Sequence, residues 1–448
     1  MPRRPRFRAL RLPPRFTQRW RARLRAQRRL WRRSRRRDDA EAVLFPAAGH
    51  GVVAVRDLTP ASAGPRVLVL HATSGSGHQV AAKALASAML ELEPSAQVRE
   101  VDTLVFASRF YRRTYVQSYN TMAARAPALW GALYHSWALA PVNRGTAPVR
   151  LAIDRINLRR LVRVLERERA DAIVCTHFLP VEALSPRRRK LQIPLFCVIT
   201  DFAAHPFWAF PHVDRYFVAA DAVAEELAGH GVARDHIEVT GIPVDPRFAR
   251  VLDRDASRRE FGLDPARPVV LVMGGGAGVG PIADLSARLL AVGAHPQVVA
   301  VCGNNEKLRA RLQRMPEARA GNLKALGFTH EVDVLLTAAD AVVSKAGGLT
   351  CSEALIKGTP LVVFRPTPGQ EVANADFLES RGAAVHADSI DDVATQVGRI
   401  LSEPARRRGF VEAASALAAP RAAENIARRV LEAARAGREA RSQTAKIA

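Results

Sequence analysis

Nothing in the 448 residues approaches the uninterrupted apolar run of ~18 residues that a bilayer-spanning helix needs, so the chain is not expected to cross a membrane. Cysteine is scarce. Cys175, Cys197, Cys302 and Cys351 lie far apart inside apolar, strand-like runs, which excludes a disulfide framework and fits reduced core residues of a cytosolic protein. The Gly-x-Gly-x-x-Gly fingerprint of a dinucleotide fold is missing. So is any zinc-finger or RNA-recognition motif, and no nucleic-acid partner is expected. No repeat of about 20–50 residues marks a solenoid.

Acidic residues are absent from residues 1–37, which hold seventeen arginines and leave +7 of the formal +24 charge to the rest of the chain. Phe16, Trp20, Leu24 and Trp31 recur there at near-helical spacing. The segment therefore reads either as a cationic amphipathic surface for an anionic membrane or as a disordered, solvated arginine tail. Only Thr17 and Ser34 supply hydroxyls, which argues against a transit peptide. Residues 38–64, mixed in Ala, Gly and Pro, extend it, so 1–64 is expected to be tail and connector.

Hydrophobic residues make up 48% of the chain, ample for packed cores, and at roughly 100–200 residues per domain two or three units are expected. From residue 65, short apolar runs alternate with helical patterns. Runs at 65–70, 97–102, 171–176, 194–200, 214–219 and 236–240 read as buried strands of a first domain over 65–241, with helices at 79–93 and 147–169. A proline-bearing linker over 242–266 follows. Runs at 268–273, 297–302, 323–326, 340–343, 360–364 and 383–386 place a second domain over 267–418, and helices at 389–403 and 406–436 leave 419–448 as terminal helix and tail. The class is α/β: two Rossmann-like, doubly wound parallel-sheet domains facing a central cleft.

Gly347-Gly348-Leu349-Thr350 sits between a strand end and a helix start, where glycine admits close approach and the helix N-terminus favours phosphate. Glu353 lies where it accepts from ribose hydroxyls, and Gln370, Glu371 and Asn374 supply groups suited to sugar hydroxyls. The glycines alone fit a tight strand-to-helix turn with a capping carboxylate equally well. In the first domain, His78 opens a helix after a glycine loop, where the positive helix end keeps an imidazole neutral and able to take a proton. A loop histidine held by a hydrogen bond is the plainer alternative. Asp201, His205 and Trp208 follow a strand end and are expected to share one cleft with His78. Residues 106–137 hold eight of the 27 aromatics, Tyr111 and Tyr115 among them, and suit either lipid head groups or a buried helical hairpin.

In combination these motifs resemble the GT-B glycosyltransferases of the monogalactosyldiacylglycerol synthase and processive diacylglycerol glucosyltransferase family, relatives of the MurG-type enzymes, over roughly 65–435. The likeness rests on the loop ending at His78, on Thr200-Asp201 through Trp208, and on the loop Met273 to Gly278. It rests further on Cys302 to Leu308, on Gly347 to Leu355, and on Pro368-Gly369-Gln370-Glu371 to Asn374. Ala346 stands where the family usually has proline, Ser74 and Ser76 where it has glycine, and Gln79 where a basic residue is common.

The resemblance implies an inverting transfer of a hexose from a UDP-sugar to a lipid hydroxyl, most directly that of diacylglycerol. His78 and Asp201 would be catalytic, and His205, Trp208, Tyr111 and Tyr115 would bind the acceptor. Donor binding would fall to Gly75, Gly77, Gly275, Gly276, Gly278, Asn304, Phe328, Gly347, Gly348, Thr350, Glu353, Gly369, Gln370, Glu371 and Asn374. The donor hexose stays open between glucose, galactose and N-acetylglucosamine. A polyprenyl-linked acceptor and a non-catalytic sugar-nucleotide or nucleic-acid binding protein are the alternatives. Asp253-Arg254-Asp255 matches the Asp-x-Asp of metal-dependent transferases but lies in the linker and reads as a solvated turn, so neither metal nor cofactor is expected. The chain is expected to sit peripherally on the cytoplasmic face of a membrane, anchored through residues 1–37.

Overall fold

Runs of three to six residues, mostly rich in Val, Ile, Leu and Ala, become the interior strands of two parallel sheets, as expected where helices cover both faces. The computed structural model describes residues 44–47, 51–54, 64–73, 76–115, 126–138, 140–168 and 170–447. The expected membrane-facing tail 1–37 lies outside them. Within residues 1–60, a separate unit, Leu44–Ala47 pairs antiparallel with Gly51–Ala54.

The first sheet contains β1 (Arg66–His71), β2 (Gln97–Asp102), β3 (Ala172–Cys175), β4 (Leu195–Val198), β5 (Arg215–Val218) and β6 (Ile237–Val239) in the order β2-β1-β3-β4-β5-β6. The second contains β7 (Val269–Met273), β8 (Gln297–Val301), β9 (Leu323–Leu326), β10 (Ala341–Ser344), β11 (Leu361–Phe364) and β12 (Ala384–Ala387) in the order β9-β8-β7-β10-β11-β12. The strand order reverses between β1 and β3 in one sheet and between β7 and β10 in the other. Such switch points open a crevice beyond the strand carboxyl ends. His78 and His177 follow β1 and β3; the 274–278 loop and Gly347-Gly348 follow β7 and β10.

The expected helix over 147–169 is two, Ala140–Asn157 and Arg159–Glu168. The expected helix over 406–436 is likewise two, Pro404–Leu417 and Ala422–Ile447. Pro420 lies in the break; it has no N–H to continue a helix and disfavours helical geometry in the residue before it.

The last helix is no tail. Ile426, Val430 and Leu431 share a core with Val67, Leu85 and Met89 of the first domain, and Arg435 reaches Glu93. Residues 242–266 are no free connector either. Phe248, Phe261 and Leu263 join the core of the second domain. The Asp253-Arg254-Asp255 triplet opens a short helix: Asp253 Oδ1 accepts from the Ala256 N–H at 2.7 Å, and Arg254 meets buried Asp340 at 2.5 Å. The two chain crossings run side by side, because a Cβ on Gly241, at φ +89°, would lie 2.2 Å from Ala419 Cβ. All four cysteines are buried and unpaired.

Candidate active site

His78 stands in the first turn of the helix Gly77–Leu92, half-buried. Its Nδ1 lies 2.8 Å from the Thr176 carbonyl and 2.9 Å from Thr200 Oγ1, while Thr176 Oγ1 donates to the His78 carbonyl at 2.8 Å. A carbonyl only accepts, so Nδ1 carries the proton and Nε2 is left as the basic nitrogen. Burial lowers the imidazole from its ordinary 6.5 to about 4, the Thr176 bond opposing and neighbouring His71 assisting. His78 is therefore neutral at pH 7. The His177 ring stands edge-on at 4.5 Å.

The resemblance implies a catalytic role for Asp201, in orienting either this base or the acceptor. The hydroxyl that reaches His78 belongs instead to its neighbour Thr200, and Asp201 Oδ1 accepts from Asn374 Nδ2 at 3.1 Å. Burial raises the Asp201 carboxyl to about 6, against that hydrogen bond. Local patterning gave no sign of Thr176, and Thr200 stood out only as part of the motif it shares with Asp201, because they meet His78 from 98 and 122 residues away.

A cleft of about 1310 Å³ joins this base to the second domain. On the second-domain side it is lined by Gly275, Gly276, Phe328, Gly347, Gly348, Thr350, Glu353, Gln370 and Glu371. Gly77 is lined up opposite: a Cβ there would meet Leu349 Cδ2 at 3.6 Å, and one on Gly276 would meet Ser76 Oγ at 3.5 Å. The amino ends of Gly77–Leu92 and Gly348–Lys357 thus open on one space, and their free N–H groups and dipoles favour an anion there. Glu353 is buried and accepts no hydrogen bond from the described residues. Burial raises it to about 8, against the nearby Arg247 cation. Glu371 is engaged within its own loop, accepting from the Thr367 N–H at 2.6 Å and lying 3.6 Å from Lys345 Nζ. Arg247 and Lys345 line the cleft and were not singled out from the sequence.

Four expected donor residues stand off the cleft wall. Gly278, at φ +58°, packs on the Cys302 carbonyl, where a Cβ would come to 2.0 Å, and Asn304 donates its N–H to the Gly276 carbonyl at 2.9 Å; both brace the glycine loop. Gly369, at φ +98°, lets its turn close on the Tyr134 ring, which a Cβ would meet at 3.0 Å. Asn374 is fully buried with its amide engaged by protein groups. Gly75 lies outside the described residues. Ala346 adopts φ +63°, a left-handed conformation costing a non-glycine residue roughly 1–2 kcal/mol. Proline, fixed near −65°, has no access to it.

On the first-domain side, Trp208 lies 6.3 Å from His78 between ring centres, and Tyr115 lies 6.5 Å from His177 and 5.6 Å from Tyr111. Tyr111 donates its hydroxyl to Asp154 at 2.5 Å. His205 Nδ1 accepts from the Phe207 N–H at 3.2 Å, so Nε2 donates to the Tyr134 carbonyl at 3.1 Å. Arg150 pairs with buried Glu182 and lies 4.4 Å above the Phe207 ring. The wall is aromatic with a polar floor. Among the described residues, no group of His, Cys, Asp and Glu could hold a metal ion, and no helix is long and apolar enough to cross a membrane.

Two family models match: monogalactosyldiacylglycerol (MGDG) synthase over residues 78–244 and the glycosyltransferase family 28 C-terminal domain over 269–426. Processive diacylglycerol beta-glucosyltransferase of Bacillus licheniformis is 33% identical over 245 residues, 55% of this chain and 64% of that protein, just under two thirds of its length. The protein of the same name from Bacillus cereus (strain AH187) is 32% identical over 276 residues, 61% of this chain and 70% of its own. The fold matches that of Acinetobacter baumannii MurG with a TM-score of 0.51 at 17% identity, covering 82% of this chain and 99% of the other. The chain belongs to the monogalactosyldiacylglycerol synthase and processive diacylglycerol glucosyltransferase family of GT-B glycosyltransferases.

Proposed function

We propose that the chain transfers a hexose from a UDP-sugar to the free hydroxyl of diacylglycerol, with inversion at the anomeric carbon. The carrying observation is that His78, with Nδ1 fixed by Thr176 and Thr200, opens on the same cleft as the helix start at Gly348 and the buried carboxyl of Glu353. His78 Nε2 takes the acceptor proton as the acceptor oxygen bonds to the anomeric carbon, a contribution of about 10²–10⁴-fold. The bond from that carbon to the diphosphate oxygen breaks, and UDP departs with the electron pair. The growing negative charge meets the two helix amino ends and the Thr350 hydroxyl. That charge also favours the protonated imidazole and so raises the basicity of a histidine that burial holds at about 4. Glu353 holds ribose, and Gln370 and Glu371 face the hexose.

The acceptor class follows the name carried by the relatives, diacylglycerol beta-glucosyltransferase. The aromatic wall supports it with apolar area for acyl chains. Phe110, 81% exposed, stands among exposed Arg109 and Arg112 near the cleft mouth, which suits an anionic lipid surface. The reading places the protein peripherally on the cytoplasmic face of a membrane, with residues 1–37 as a further contact.

Incubation of the full chain with labelled UDP-hexoses and total membrane lipid, followed by mass analysis of the product, tests this. A hexosyl-diacylglycerol is expected. Label on a polyprenyl carrier, or no release of UDP, would overturn it.

A further inference from the structure

The helix Gln370–Glu379 carries Gln370 and Glu371 at its cleft end, and Asn374 one turn further, fully buried. Asn374 Oδ1 accepts from the Phe202 N–H at 2.7 Å; Nδ2 donates to Asp201 Oδ1 at 3.1 Å and to the Ala346 carbonyl at 3.0 Å. Both amide hydrogens are thereby engaged, one on each domain. Three residues along the same helix, Phe377 stacks on Phe202 with ring centres 5.0 Å apart. Both contacts grip the segment 200–202. At its other end Thr200 holds His78 Nδ1 at 2.9 Å.

We propose that Asn374 is a positioning residue: it fixes the segment 200–202 in the conformation that orients His78 and does so only while the two domains are closed. The turn that faces the donor hexose and the base that takes the acceptor proton are then assembled by one side chain that touches neither substrate. The inference rests on the transferase reading above.

Asn374→Asp keeps the size and the oxygen for the Phe202 N–H, but turns an acceptor toward Asp201 and the Ala346 carbonyl. Combining it with Asp201→Asn restores a donor opposite an acceptor. Asn374→Asp is expected to bind UDP like the wild type, to lose kcat about thirtyfold with a smaller change in acceptor KM, and to exchange the amides of 200–204 faster. The double variant is expected to recover about tenfold of that loss, together with the protection. Wild-type kcat in Asn374→Asp would overturn the proposal. So would a fall in UDP affinity parallel to kcat, which would place Asn374 in the donor site. Amide exchange is read without turnover, so the two ideas fail separately. A wild type that transfers no sugar defeats the transferase reading, whereas unchanged exchange at 200–204 in the variant defeats the positioning role even in an active enzyme.

Discussion

Gly348 stands so close to Thr200 that a Cβ placed on it would lie 2.0 Å from the Thr200 carbonyl oxygen. The first residue of the helix Gly348–Lys357 thus touches the residue whose hydroxyl meets His78 Nδ1. Gly348→Ala improves the helix former at that position yet forces this contact apart. Displacing a catalytic group by about 1 Å can cost about a hundredfold, and a kcat loss of that order is expected with unchanged circular dichroism. Steady-state kinetics on the folded variant check it.

Glu353 gives a pH-dependent outcome. Its carboxyl is raised from 4.5 to about 8, so the folded state holds the proton more tightly than the unfolded one. The contribution is present below about 4.5 and is lost as pH rises through about 8. Glu353→Gln removes that loss, and its melting temperature at pH 8 is expected to exceed that of the wild type. Ribose hydroxyls favour the carboxylate, so the same variant is expected to bind UDP about 10–100-fold more weakly, the worth of a hydrogen bond to a charged group. Calorimetry on both proteins measures each effect.

Ala346 separates backbone from side chain. At φ +63°, Ala346→Gly is expected to be neutral or to stabilise by up to about 1 kcal/mol, because glycine takes this conformation without strain. Ala346→Pro is expected to lower the melting temperature and to weaken UDP binding less than it lowers stability, since the ring forbids the angle that turns the Ala346 carbonyl to Asn374 and the turn must rearrange. Melting curves and UDP titrations distinguish the pair.

The final helix offers a test of domain make-up. Ile426 is fully buried against the first domain, more than 180 residues beyond that domain's last strand. Ile426→Ala is expected to cost about 2–5 kcal/mol, as for a core residue, where a tail position would cost nothing measurable. Denaturant unfolding gives the number.

The strand–helix alternation, both glycine-lined turns and His78, Glu353 and Gln370 were legible because each is a local pattern: an apolar run, a loop, a residue at a helix mouth. What stayed hidden was pairing across distance. Thr176 and Thr200 look like any strand-end threonines until the fold sets them against His78. Asn374 sits in a motif that suggests sugar binding, yet its side chain points into the domain contact. The return of Ala422–Ile447 to the first domain leaves no trace in composition, since an amphipathic helix reads alike whichever core it covers.

The central claim is that His78 is the base of a hexosyl transfer in a cleft that binds UDP independently of it. The most direct measurement is single-turnover transfer of label from UDP-hexose to diacylglycerol by the wild type and by His78→Ala, with UDP affinity determined on both. The account predicts a loss of about 10²–10⁴-fold in rate with UDP affinity preserved. Unchanged transfer in the variant would contradict it.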